Sequence, residues 1–74
     1  MSLRVGDQVH DNYYGYEGTI SKIDIHCKQP DEWVKAQLRP VTPEELDERW
    51  IHVTITNRNG GAVVGPESRF TRIT

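Results

Sequence analysis

Ten of the 74 residues are glycine or proline, and their spacing dictates short elements. Gly6, Gly15, Gly18, Pro30, Pro40, Pro43, Gly60, Gly61, Gly65 and Pro66 break the chain into pieces suited to strands and single helical turns. Within those pieces the apolar residues recur every second position, the period of a strand with one buried face. The chain therefore reads as an all-β domain of five to six short antiparallel strands. A sheet of that size in so few residues is expected to curl into a small barrel, which removes exposed edges.

The first strand is expected around Gln8–His10, after the turn Val5-Gly6-Asp7. Asp11 to Gly15 reads as a loop, and Tyr16 to Ile25 as the second strand. Alternation slips between Ile20 and Ile23, so a bulge or bend is expected there to restore the register. Trp33-Val34-Lys35-Ala36-Gln37-Leu38 alternates and reads as a third strand, with Val34, Ala36 and Leu38 on its inner face. Thr42-Pro43-Glu44-Glu45 combines an N-cap, a first-turn proline and a glutamate three residues after the cap. That pattern predicts a short helix over 43–49. Trp50 to Thr56 is the strongest strand, with Ile51, Val53 and Ile55 facing one way and Trp50, His52 and Thr54 the other. Asn57 to Gly61 reads as a hairpin turn, Ala62-Val63-Val64 as the return strand, Gly65–Ser68 as a turn, and Arg69–Ile73 as the closing strand. The expected core is Ile20, Ile23, Val34, Leu38, Ile51, Val53, Ile55 and Phe70.

Val5-Gly6-Asp7-Gln8-Val9, followed by Gly15, Gly18-Thr19-Ile20 and Ile23, resembles the opening of KOW-type and other SH3-like barrel modules. Ser68 to Ile73 is similar to the turn and strand that close such barrels. The resemblance covers about residues 4–25 and 50–74 and implies one SH3-like domain over 1–74, with an insertion at about 26–49. It also implies a binding role, nucleic acid being the ligand of KOW modules.

The charge balance bears on that role. The formal net charge is −2 and the pI about 5.8, whereas nucleic-acid modules are usually basic. Residues 1–48 carry five basic and ten acidic side chains, while 49–74 carry Arg49, Arg58, Arg69 and Arg72 against Glu67 alone. A solvated surface of mixed sign accounts for this split, and so does a small Arg-lined face.

Three kinds of residue could carry function. Tyr13, Tyr14 and Tyr16 crowd one loop, where tyrosine supplies flat contact area with a polar tip. Some of these rings could instead cap the open end of the barrel. Trp33 and Trp50 lie opposite the aliphatic faces of their strands, either paired across strands, packed under the acidic helix as a second small core, or exposed as interface anchors. Arg58, Arg69 and Arg72 complete the candidate set as outward guanidinium groups.

Catalysis and metal binding lack support. His10, His26 and Cys27 are too few and wrongly spaced for a zinc site, and no nucleophile elbow or phosphate loop is present. No metal, cofactor or enzymatic activity is expected. The single cysteine suggests a reducing, cytoplasmic setting, and no apolar run is long enough for a membrane helix. The reading that results is a non-enzymatic module that binds a protein partner, with nucleic-acid binding, RNA in particular, as the alternative.

Overall fold

The computed structural model describes residues 3–25, 29–37, 39–56 and 61–73. Five antiparallel strands form one sheet: β1 (Gln8–Asp11), β2 (Glu17–Asp24), β3 (Trp50–Ile55), β4 (Ala62–Pro66) and β5 (Phe70–Arg72). Their order across the sheet is β4-β3-β2-β1-β5. A single 3₁₀ turn, Glu67–Arg69, carries the chain from β4 at one edge to β5 at the other. The arrangement is a small all-β fold of SH3-like type. Among the described residues β4 and β5 do not pair, so the expected closure of the barrel is replaced by an open sheet.

The register follows from local chemistry. Ile20 pairs with Val53 and Lys22 with His52, leaving Ser21 as the extra residue of a bulge. The slip between Ile20 and Ile23 thus appears where alternation required it. Gly18 permits the closest approach between strands: a Cβ there would stand 2.1 Å from the Thr54 carbonyl oxygen. Leu3, Val9, Ile20, Ile51, Val53 and Phe70 form the buried cluster, with Ile23 and Val63 packed against it. Ile55 is buried as expected, while Leu3 and Val9 are core residues beyond the expected set.

Two short helices occupy the stretch between β2 and β3: α1 (Asp31–Lys35) and α2 (Pro43–Leu46). For α2 the capping box is complete, with Glu45 N donating to Thr42 Oγ1 at 3.2 Å and Thr42 N to Glu45 Oε1 at 3.0 Å. It ends at Leu46, earlier than 49. The strand expected over 33–38 is corrected to a helix. Asp31 and Glu32 stand in its first turn, where acidic side chains suit the positive end of the dipole, and Pro30 precedes them. The Pro30 carbonyl accepts from the Trp33 and Val34 amides. Val34 is consequently half-buried rather than in the sheet core. Leu38 and the turn at 57–60 lie outside the described residues.

Trp33 and Trp50 stack with ring centroids 6.3 Å apart and planes 19° from parallel. Trp50 is fully buried and its indole donates to the Glu45 carbonyl at 2.8 Å. The helices therefore cover the β3 face opposite the aliphatic residues, and Trp33 and Trp50 belong to a second small core. As an outward contact residue Trp50 is corrected: it has no exposed surface to offer.

Candidate functional site

The loop between β1 and β2 is set by its first residue. Asp11 is buried, and its Oδ1 accepts from the Tyr13 amide at 2.8 Å and the Tyr14 amide at 3.2 Å. Its backbone closes the loop as well, donating to the Tyr16 carbonyl and accepting from Gly15 N. Gly15 sits at φ +79°, the left-handed conformation that a side chain would strain. Asn12 ties the loop to the end of the chain: its amide donates to the Arg69 carbonyl at 2.8 Å, and its side chain exchanges hydrogen bonds with Thr71. So anchored, the loop presents its rings in fixed positions.

Tyr13 is the most exposed of the three rings at 38%, while Tyr14 and Tyr16 are half-buried. Tyr13 and Tyr14 meet edge to face at 6.4 Å. Two guanidinium groups approach the Tyr13 ring: the Arg69 carbon lies 4.4 Å from its centroid and the Arg39 carbon 4.9 Å. Both distances suit cation–π attraction.

Arg69 reaches that ring from inside the protein. Only 2% exposed, it is corrected from an outward contact residue to a buried one. Its Nε donates to Glu45 Oε2 at 3.0 Å and its Nη1 to Gln37 Oε1 at 2.6 Å. Gln37 is itself fixed, donating through Nε2 to the Val64 and Trp33 carbonyls at 2.7 and 3.2 Å. The Arg69 hydrogen bond, together with the Thr42 amide, holds the Glu45 carboxyl below its ordinary value despite burial. This buried chain of polar groups connects α2, the end of α1 and the Tyr loop.

The other arginines are distributed differently. Arg49 pairs with Glu67 and donates through Nη2 to the Leu3 carbonyl at 2.9 Å. Burial works to raise the Glu67 carboxyl, but the Arg49 hydrogen bond and the Leu3 amide hold it below its usual value. Arg72 is exposed, with Nε 3.9 Å from Asp7. Arg39, which no sequence pattern singles out, is exposed, lies against Tyr13 and makes no ion pair among the described residues. Arg58 lies outside the described residues. An Arg-lined face built from 49, 69 and 72 is therefore not assembled. What the structure brings together is Tyr13 with Arg39 and Arg69.

Elsewhere, a groove of about 400 Å³ runs beside β5, floored by Leu3 and Phe70 and rimmed by Glu67, Ser68 and Arg72. The Ser68 hydroxyl there already donates to Glu48 Oε2 at 2.8 Å. Among the described residues no three His, Cys, Asp or Glu side chains gather as metal ligands, and no helix is long and apolar enough to cross a membrane.

Fold and loop together define a small antiparallel β-module with a preset aromatic–guanidinium surface. The chain belongs to the YccV-like family, whose model, described as hemimethylated DNA-binding protein YccV like, matches residues 1–65. The KOW-type resemblance extends no further than the small antiparallel sheet. Neither a curated protein nor a solved structure matches the chain.

Proposed function

We propose that this chain is a non-enzymatic DNA-binding module that prefers hemimethylated duplexes. The observation that carries this reading is the family match across 65 of the 74 residues, with its description as a hemimethylated DNA-binding protein. It displaces the protein partner favoured by the sequence and takes up the nucleic-acid alternative, with DNA in place of RNA. The fixed loop supports it: Tyr13 offers apolar area, and Arg39 beside it brings a charge without an ion-pair partner among the described residues. Arg72 supplies a further exposed cation.

A net charge of −2 limits how much of the affinity phosphate contacts can supply. Binding then depends on a few local cations, and the salt slope is shallow. Fluorescence anisotropy with duplexes of one sequence, unmethylated, hemimethylated or fully methylated, tests the reading across 50–200 mM salt. The hemimethylated duplex is expected to bind tightest, with affinity falling as salt rises. Absence of DNA binding, or equal affinity for hemimethylated and unmethylated duplexes, overturns it.

A further inference from the structure

Preference for a methylated strand requires an apolar contact that stays where the methyl group will be. Methyl groups on adenine N6 or cytosine C5 both project into the major groove, where base edges are read. Burying one such carbon is worth about a fourfold change in affinity, and a side chain free to swing forfeits part of it. The reader must therefore be exposed, apolar and held.

Four large hydrophobic side chains are exposed among the described residues: Val5, Tyr13, Ile25 and Ile73. Of these, Tyr13 is the one aromatic ring, and two guanidinium groups lie against it. Its backbone is fixed by the Asp11 carboxylate, and its ring rests against Arg69, which Glu45 and Gln37 hold from within. Arg39 on the same ring brings a positive charge without a carboxylate partner among the described residues. Arg69 is already neutralised by Glu45, so the charge left for an anion beside that ring is that of Arg39.

We propose that Tyr13 is the residue that contacts the base methyl group, that Arg39 takes a phosphate of the same duplex, and that Arg69 is the buried positioning residue beneath them. The inference rests on the DNA-binding reading above and adds the contact that separates hemimethylated from unmethylated DNA. It predicts two separable effects. Tyr13→Ala removes the methyl contact, so the preference for hemimethylated over unmethylated DNA falls from about fourfold to near one. Arg39→Ala weakens every duplex alike and lowers the salt slope by about one, leaving the ratio intact.

The experiment is anisotropy of the full chain and these variants with unmethylated, hemi-N6-methyladenine and hemi-C5-methylcytosine duplexes. The two methylated duplexes determine which modification supplies the group. Tyr13→Phe keeps the ring and is expected to restore most of the preference lost in Tyr13→Ala. The stacked Trp33–Trp50 pair reports through its fluorescence that each variant is folded. A Tyr13→Ala protein that keeps the parental preference overturns the assignment while the DNA-binding reading stands. A parent that binds no DNA overturns both. Loss of the ratio in Arg39→Ala, with Tyr13→Ala unaffected, also overturns the division of roles.

Discussion

The two cores of this protein are built on different physics. Beneath the sheet, Val9, Ile20, Ile51, Val53 and Phe70 exclude water with aliphatic and aromatic surface alone. Between the helices and the sheet, burial is shared with polar groups: Trp50 donates to the Glu45 carbonyl, and Arg69 is bonded by Glu45 and Gln37. The first core tolerates imperfect packing at modest cost. The second depends on partners, because an isolated buried charge is expensive. It is this second core that supports the loop surface, through Arg69 against Tyr13. Stability and the candidate site are thus coupled on one side of the molecule and largely separate on the other.

Truncating Arg69 breaks that comparison most severely. Arg69→Ala leaves the Glu45 carboxylate buried without its cation and is expected to cost about 3–5 kcal/mol in urea unfolding. Trp fluorescence should shift with it, since α2 carries the carbonyl that fixes Trp50. A loss under 1 kcal/mol would place the stability of the helical side elsewhere.

In the apolar core the corresponding change is smaller. Val53 is 2% exposed and pairs with Ile20 and Val63 on either side. Val53→Ala is expected to cost about 1–3 kcal/mol by lost burial and a residual cavity. Unlike Arg69→Ala, it should leave the environment of the tryptophans unchanged in the folded state.

Acid separates the two cores most gently. His52 lies edge-on to Trp33 at 4.7 Å, and its buried Nε2 has no hydrogen-bond partner among the described residues. Burial pushes its imidazole below 6.5, Lys22 adds to the effect and Asp24 opposes it. Because protons bind the unfolded chain first, stability is full above pH 6.5 and falls as pH drops through that value. His52→Gln should flatten the midpoint-against-pH curve in that window. A second loss follows below pH 4.5, where the lowered Glu45 carboxyl takes up its proton on unfolding. A midpoint rising on acidification from pH 7 to 5 would contradict this account of His52.

Much of the sheet was legible because its signals are local. Strand alternation, the bulge at Ser21 and the capping box of α2 depend on residues within three or four positions of one another. In the same way, the crowding of tyrosines marked the loop that carries the candidate surface. The alternation over 33–38 misled because it carries too little local signal to separate a strand from a short helix. What favours the helix is Pro30 with two acidic residues after it, and the packing of Trp33 on Trp50.

Sequence by itself determined the antiparallel β class, the strand periods and the position of the aromatic loop, since period and turn chemistry are properties of neighbouring residues. Tertiary structure alone decided that Trp50 is covered, that Arg69 points inward and that Arg39 reaches Tyr13. Glu45 and Gln37 stand 24 and 32 residues before the arginine they hold. Partnerships of that separation form only once the chain has folded, and a guanidinium looks the same in sequence whether it ends beneath a ring or in water.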